Sequence, residues 1–203
     1  MSKEENVVKY YAICNRLKNV IRKGWKLWNV QRDRIESVAE HIFSTQMLAI
    51  AMKHEYQYDV DIMNVVFMLA IHELGEAIID DLTQFEINEN DKEKIEHAAV
   101  HEILSGILDG KQIDSHSTKE AFFAYQCDKL ECDLQSKIYD EEGCVDLTKQ
   151  DGNFVMNNSI VKRLLDNGES WSTMWLKYGQ EMYPYDDNFK AVSNYAIKNK
   201  IKK

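Results

Sequence analysis

Apolar residues recur at helical spacing along most of the chain, and this pattern predicts where its helices lie. From Val7 to Ile21 the apolar positions follow a period close to that of an α-helix. Ser37 is followed three residues later by Glu40, a spacing typical of a capping box, in which each side chain bonds the backbone N–H of the other residue. This pair predicts a helix that begins after Ser37 and runs to about Lys53.

The next predicted helix carries the most apolar run of the sequence. Asp59 or Asp61 is suited to cap its start, and every residue from Val65 to Ile71 is apolar. A helix that is apolar on all sides belongs in the centre of a fold. The run leads directly into His72 and Glu73. Polar groups at the end of a buried helix are costly unless they are paired, protonated or bound to a metal, so this junction is the first indication of chemistry.

The pattern of the remaining chain is also helical. The chain has one proline and eight glycines, too few for many tight reversals between strands. No linker, repeat or shift in composition marks a boundary. We therefore expect an all-α protein of about eight helices, folded as a single globular domain over residues 1–203. The further predicted helices cover residues 91–108, 118–139, 156–167, 170–182 and 188–200.

The balance of charge narrows the range of partners. The 203 residues include 34 acidic and 25 basic side chains, a formal net charge of −9. Binding to a nucleic acid polymer depends on lysine and arginine residues that neutralise phosphates, so this balance argues against such a partner. A small phosphorylated substrate stays compatible with the charge, because a bound metal ion can reverse the sign of the local field.

Cysteine usage and hydropathy predict the compartment. The four cysteines form no CxxC pair, and the N-terminal residues MSKEENVVKYY lack the basic and then apolar layout of a signal peptide. No apolar run is seen to approach the roughly 18 residues that span a bilayer. We therefore expect a cytoplasmic protein with free thiols and no membrane partner.

Candidate metal ligands occur on three predicted helices. They are His41, the neighbouring pair His72 and Glu73, and Asp128. Imidazole and carboxylate together suit a divalent ion such as manganese, cobalt, iron or zinc. Four protein ligands leave coordination positions open on one such ion, as a hydrolytic centre requires for water and a phosphate oxygen.

Glu76 is the candidate for proton transfer. It lies four residues after His72 and three after Glu73, on the same side of a helix. A carboxylate beside a metal that is not itself a ligand is suited to exchange a proton with water or a leaving group. The competing interpretation is that each histidine is an ordinary surface or core residue. The HExxH pattern of zinc proteases is absent, because a glutamate stands where its second histidine would be.

Three segments of the sequence together resemble a known family. They are RIESVAEH at 34–41, IHELGEA at 71–77 with Asp80 and Asp81 after it, and CDKLE at 127–131. In this order they resemble the HD-domain metal-dependent phosphohydrolases, and more narrowly the 5′-deoxynucleotidase branch. The resemblance spans about residues 17–139, which would form the metal-site core, with C-terminal helices over residues 155–200 packing on it.

The resemblance also implies a role for each matching residue. Glu76 would be the catalytic carboxylate, Trp25 would lie against the nucleoside, and Asp81 would contact the sugar hydroxyl. Arg22 or Lys23 would bind the phosphate. Without the resemblance, Trp25 is interpreted as a core or interface tryptophan. One divalent ion would have four protein ligands, which are His41, His72, Glu73 and Asp128.

Two departures from the family pattern accompany this match. The acid after the second histidine is aspartate in the family and Glu73 here, and the segment 31–35 is about two residues longer than in the branch. The predicted reaction is release of phosphate from a (deoxy)nucleoside 5′-monophosphate. The alternatives are hydrolysis of nucleoside triphosphates, dinucleoside polyphosphates or cyclic nucleotides, or a module that binds nucleotide or metal without catalysis because of Glu73.

Two further groups of residues receive structural interpretations. His97 and His101 lie among acidic residues, which favours a solvated helix face over a second metal site. The aromatic C-terminal end, from Trp171 to Phe189, has a helical spacing that favours core or subunit packing over a cofactor pocket. Members of the resembling branch often form dimers, so a homodimer is a predicted assembly.

Overall fold

The computed structural model describes residues 2–83, 85–87, 89–104 and 118–202, and the side chains within them except those of residues 89, 90, 92, 93 and 97. The regular structure of these residues is helical, and their one strand-like pairing is an antiparallel bridge between Ile21 and Ser37. The predicted all-α fold is confirmed. The α-helices are α1 (Lys3–Cys14), α2 (Lys23–Leu27), α3 (Val38–Tyr56), α4 (Ile62–Ile71), α5 (Glu76–Ile79), α6 (Glu89–Leu104), α7 (Lys119–Glu141), α8 (Ser159–Asp166), α9 (Trp171–Met182) and α10 (Asp187–Lys198).

Two predicted helix starts are confirmed. Ser37 caps α3: its hydroxyl accepts the backbone N–H of Glu40 at 3.3 Å, and the Glu40 carboxylate accepts the N–H of Ser37 at 2.9 Å. Asp61, rather than Asp59, caps α4, because its carboxylate accepts two N–H groups of the first turn. Both caps satisfy backbone donors that a helix start would otherwise leave without partners.

The apolar helix α4 is buried on one side only. Val65 and Leu69 are buried, whereas Met63 is 74% exposed and Phe67 is 37% exposed. We expected a helix enclosed on every side, and this expectation is wrong for the side of α4 that carries Met63 and Phe67. Helix α4 packs against α3.

One stretch of the described residues, Ile62–Ile79, is long and apolar enough to cross a membrane by its length and composition alone. This corrects the expectation that no apolar run approaches that length. Core helices of globular proteins have the same length and composition, so this feature is weak evidence for a membrane span. In the structure the stretch is divided, since α4 ends at Ile71 and α5 begins at Glu76.

The chain divides into two compact units, and the first comprises residues 1–23 and 36–124 as far as they are described. A hydrophobic cluster joins α3, the end of α4 and α6 in this unit. Several of its members adjoin candidate ligands along the chain, so their packing fixes the backbone that carries those ligands. The buried members are Leu17, Val38, Ile71, Leu74, Val100, Ile103 and Leu104.

The second unit comprises residues 24–35 and 125–203, and its core is aromatic. The ring of Trp171 lies edge-on to Trp25 and Trp28, with centroids 6.1 and 5.9 Å away. Phe189 stacks on Tyr185 at 6.1 Å, and all five side chains are buried. The aromatic C-terminal end, for which the spacing predicts core or subunit packing, therefore packs in a core. The organisation as a single domain, with helices over residues 155–200 packed on a core of residues 17–139, stays a prediction.

Candidate metal centre

The helix α3 places His41 in the interior of the first unit. His41 lies in the second turn of the helix, after the Ser37 cap, and its side chain is fully buried. Val38, in the first turn, is fixed in the hydrophobic cluster. The cap and the cluster together set the position and rotation of the helix, so the local sequence directs the His41 imidazole inward.

The turn between α4 and α5 carries His72 and Glu73. The next residue, Leu74, is anchored in the hydrophobic cluster. Gly75 permits a close approach of α6, because a Cβ at this position would lie 3.0 Å from the backbone oxygen of Glu96. The turn is therefore held between the cluster and α6, and its two polar residues have fixed positions.

The donor atoms of His41, His72 and Glu73 converge. Oε1 of Glu73 lies 4.0 Å from Nε2 of His41 and 3.8 Å from Nε2 of His72. The two imidazole rings are 5.6 Å apart between centroids. Nδ1 of His72 lies 2.8 Å from the backbone oxygen of Leu69. With its proton on Nδ1, His72 donates to that oxygen and keeps a lone pair on Nε2, the arrangement found in metal-binding histidines.

These donors fit a divalent metal ion. Imidazole nitrogen and carboxylate oxygen together are ligands of zinc, iron, cobalt and manganese. Each would lie about 2.0–2.2 Å from such an ion, so donors that share one ion are separated by a few ångströms, as these are. Glu73 stands where the family pattern has aspartate, yet its longer side chain brings Oε1 to within 4.0 Å of both imidazoles. The glutamate at position 73 therefore still supplies a carboxylate oxygen beside the two imidazoles.

Arg22 brings positive charge to three carboxylates of the same unit. Its Nη1 donates to Oε1 of Glu73 at 3.3 Å, and it lies 3.9 Å from Oε1 of Glu76 and 3.7 Å from Oδ1 of Asp81. The arginine side chain is only 14% exposed, so water screens these interactions weakly. A planar guanidinium is suited to bind phosphate as well as carboxylate. Arg22 is thus a basic group within reach of the candidate ligands.

Lys23, the other basic candidate for the phosphate, is oriented differently. Its ammonium group pairs with the Glu86 carboxylate at 2.5 Å, and its backbone N–H donates to Oδ2 of Asp81. The structure therefore distinguishes Arg22, whose side chain contacts Glu73, from Lys23, whose side chain contacts Glu86. Glu86 was missed by the sequence analysis, because it lies in a segment with no periodic pattern to place it.

Glu76 is the first residue of α5 and is fully buried. Among the described residues, neither of its carboxylate oxygens accepts a hydrogen bond of ordinary geometry. Burial raises the pKa of this carboxyl well above its usual value, the Glu73 and Asp81 carboxylates raise it further, and Arg22 opposes them. Such a group holds its proton to higher pH than an ordinary glutamate and is suited to proton transfer.

Asp128 and Trp25 belong to the second unit. Asp128 is buried on α7, and its Oδ2 pairs with Nζ of Lys129 at 2.8 Å. Trp25 is also buried, with its ring edge-on to Tyr139 at 5.4 Å. Their roles as metal ligand and nucleoside contact stay predictions. The predicted site residues that the first unit brings together are Arg22, His41, His72, Glu73, Glu76 and Asp81.

The two other histidines whose side chains the structure describes lie on exposed helix faces. His101 is exposed on α6, as expected for a solvated helix face, and His54 is exposed on α3. The side chain of His97 and the whole of His116 lie outside the described residues.

An all-helical fold that brings a histidine from one helix to a histidine–acid pair at the end of another defines a class of protein, the HD domain. A profile of this domain matches residues 14–167, more than half of the chain. The chain therefore belongs to the HD-domain family. The resemblance inferred from the three sequence segments is confirmed.

Several relatives in this family share a name. The protein of Dictyostelium discoideum named 5′-deoxynucleotidase HDDC2 is 29% identical over 153 residues, which cover 68% of this chain and 79% of the relative. The proteins of the same name from Bos taurus and Homo sapiens are each 25% identical over 146 residues, 67% of this chain and 69% of theirs.

Solved structures show the same fold. The PH0347 protein from Pyrococcus horikoshii superposes with a TM-score of 0.65 at 20% identity, covering 94% of this chain and 98% of that one. A conserved hypothetical protein from Pyrococcus furiosus gives 0.58 at 24% identity, covering 79% of this chain and 94% of that one.

Proposed function

We propose that this protein is a metal-dependent phosphohydrolase that releases phosphate from (deoxy)nucleoside 5′-monophosphates. The observation that carries the proposal is the placement of Oε1 of Glu73 within 4.0 Å of Nε2 of both His41 and His72. Support for the substrate class comes from the three family members named 5′-deoxynucleotidase.

His41, His72 and Glu73 would hold one divalent ion of manganese, cobalt, iron or zinc, with Asp128 as the fourth ligand. Two features of Asp128 support this role: its carboxylate is buried, and it belongs to CDKLE, the third of the family segments. Buried carboxylates are costly and are retained where they pair with a cation or a metal. The ion, when bound, would lower the pKa of a water molecule and withdraw charge from a phosphate oxygen.

The residues around the ligands would perform the remaining steps. Glu76 would accept the proton that the attacking water loses, or return one to the leaving oxygen. Arg22 would offset the negative charge of the phosphate, which competes with Glu73 for the guanidinium N–H groups. Asp81 would contact the sugar hydroxyl and Trp25 the base. For Trp25 the packing against Tyr139 supports the alternative role of a core residue.

An assay of phosphate release tests the proposal. Chelator-treated protein is resupplied with Mn²⁺ or Co²⁺ and offered a panel of nucleotides. Metal-dependent release of phosphate from nucleoside 5′-monophosphates, lost in Glu76→Gln, is the expected result. Release of pyrophosphate or triphosphate, or opening of a cyclic nucleotide, would assign one of the alternative hydrolase activities. Metal binding without any release would identify a non-catalytic module.

We also propose that the protein forms a homodimer through the exposed apolar face of α3 and α4. Phe43 and Met47 of α3 and Met63 of α4 are exposed, and no charged residue occurs in either Ile42–Met52 or Ile62–Ile71. A charge-free apolar surface of this kind is typical of an interface. Sedimentation of Phe43→Asp, with Tyr195→Asp at an exposed tyrosine of α10 as its control, tests this. Equal sedimentation of the two variants would contradict the dimer.

For its location we propose the cytoplasm. All four cysteines carry thiols rather than disulfides, which supports a reducing compartment. Microscopy of a tagged protein provides the measurement, and a signal confined to a membrane or to the exterior would contradict the proposal.

A further inference from the structure

The ion pair between Asp128 and Lys129 has an unusual geometry. The two residues are neighbours on α7, and neighbouring side chains on a helix diverge by about 100°. Nevertheless Nζ of Lys129 lies 2.8 Å from Oδ2 of Asp128. The lysine side chain must therefore fold back against the helix instead of extending into solvent, which requires something to hold it there.

Two tyrosine rings hold the ammonium group of Lys129. Its Nζ lies 5.2 Å from the ring centroid of Tyr125 and 5.8 Å from that of Tyr183. The two rings lie edge-on to each other, with centroids 6.3 Å apart. Distances below about 6 Å are those at which a ring attracts a cation. Tyr125 lies one turn before Lys129 on α7, whereas Tyr183 immediately follows α9.

The segment Tyr183–Asp186 is attached to α7 at two further points. The Tyr185 hydroxyl donates to Oδ2 of Asp133 at 3.0 Å, and the backbone N–H of Asp186 donates to the Gln126 side chain at 2.7 Å. Positions 125, 129 and 133 are successive residues four apart and share one face of α7. The segment therefore lies along the face that carries Lys129, and the position of the Tyr183 ring is fixed.

We propose that Lys129, clamped between Tyr125 and Tyr183, is a positioning residue that fixes the carboxylate of Asp128 for metal binding. The clamp binds Oδ2 and so sets the direction of Oδ1. This inference rests on the proposed function, in which Asp128 is a ligand. Tyr183 lies beyond residues 14–167, the part of the chain that matches the HD-domain profile. The C-terminal part of the chain would thus act on Asp128 through Lys129.

Replacement of Tyr183 tests how the position of the Asp128 carboxylate affects metal binding, without changing the charge near the site. Any neutral residue at Lys129 would remove a cation beside the ion as well as the clamp, and these two effects on metal affinity have opposite signs. Tyr183→Leu removes the ring and leaves every charge in place. Tyr183→Phe keeps the ring face and should rescue the function of the clamp. Tyr195→Leu, at an exposed position of α10, is the control for loss of a tyrosine.

The measurement is the Kd of Co²⁺ for the chelator-treated full chain, by calorimetric titration. We expect Tyr183→Leu to weaken binding about 10-fold, the lower end of the effect of residues that orient metal ligands. Tyr183→Phe should restore binding to near the original affinity, and Tyr195→Leu should leave it unchanged. A folded Tyr183→Leu variant with unchanged Kd would overturn the proposal, as would a Tyr183→Phe variant as weak as Tyr183→Leu.

Two additional variants keep the result decisive. Thermal melts show whether Tyr183→Leu is folded, and if it is not, Tyr125→Leu removes the other ring and is judged by the same outcomes. Asp128→Asn separates the inference from the proposed function. If Asp128→Asn binds Co²⁺ as before, Asp128 is not a ligand and the proposed ligand set is wrong. If Asp128→Asn loses affinity while Tyr183→Leu keeps it, only the clamp is wrong.

Discussion

Two buried carboxyl groups, Glu76 in the first unit and Asp133 in the second, have contrasting surroundings. Burial raises the pKa of both above the usual value. Asp133 accepts a hydrogen bond from the Tyr185 hydroxyl at 3.0 Å. Neither oxygen of Glu76 accepts one of ordinary geometry among the described residues, and the groups that most affect it are the carboxylates of Glu73 and Asp81.

The contrast separates a buried carboxyl that has a hydrogen-bond donor from one that has other carboxylates beside it. A buried carboxyl with a neutral donor is part of a satisfied core, as Asp133 is with Tyr185. A buried carboxyl beside others of the same charge destabilises the folded state, and such arrangements are found where function requires them. Glu76 is therefore the group whose replacement should improve stability at the expense of activity.

Glu76→Gln should give the largest effect, a loss of kcat of about 100- to 10,000-fold, because the amide cannot exchange a proton. The same variant should be more stable than the original without metal, since the amide is neutral without the proton that the buried carboxyl must hold. Phosphate release and urea unfolding measure the two effects.

The control for Glu76→Gln is Glu141→Gln. The Glu141 carboxylate accepts backbone N–H groups of Ile201 and Lys202 at 3.0 and 2.8 Å, so it is satisfied by donors. This control should keep its activity and lose some stability. A Glu76→Gln variant that is less stable than the original protein would break the contrast between the two carboxyl groups.

Local signals in the sequence were sufficient for part of this structure. The Ser37 and Glu40 capping box and the histidine–acid pair after the apolar run were predicted, and the cap of α4 was narrowed to Asp59 or Asp61, because each feature depends on residues within a few positions of one another. The site in the first unit needed one further step, the family resemblance, to bring His41 to His72.

Contacts between distant parts of the chain were not predicted. The choice of Arg22 over Lys23, the Glu86 partner of Lys23 and the bond from Tyr185 to Asp133 each join residues more than 50 positions apart. Such contacts depend on how helices pack, which periodicity does not encode. The exposed face of α4 was not predicted for the same reason, since composition shows that a helix is apolar but not which of its sides other helices cover.

Gly179→Ala should have the next largest effect, because it forces a methyl group against Asp133. A Cβ at Gly179 of α9 would lie 2.0 Å from Oδ2 of Asp133, far inside contact distance. We expect a loss of about 1–3 kcal/mol in the free energy of unfolding, measured by urea titration.

Two comparisons identify the clash as the cause. In the Asp133→Ala background the same Gly179→Ala substitution should cost much less, because the obstructing oxygens are absent. Gly24→Ala is the matched control on α2, where nothing lies within 4 Å of the added Cβ. It should be neutral or slightly stabilising. An equal cost of Gly179→Ala with and without Asp133 would show that the carboxyl is not the obstacle.

The smallest expected effect is a pH dependence that belongs to Asp133. Burial raises the pKa of this carboxyl, and the Tyr185 hydroxyl and Lys129 only partly oppose it. The pKa of Asp133 is higher in the folded state than in the unfolded chain. The contribution of this carboxyl to stability is therefore fully present when the pH lies below the unfolded-state pKa. As pH rises toward the folded-state pKa, the unfolded chain releases a proton that the folded protein keeps, so this contribution is lost.

Asp133→Asn keeps an oxygen for the Tyr185 hydroxyl but does not titrate. The stability of this variant relative to the original should therefore increase with pH, by up to about 1.4 kcal/mol per pH unit between the two pKa values. Urea unfolding of both proteins at two mildly acidic pH values about one unit apart measures the difference. A difference that does not change with pH would mean that Asp133 titrates alike in the folded and unfolded chains. The tyrosine bond would then stabilise an ionised group, and Asp133 would differ from Glu76 in its charge as well as in its hydrogen bonding.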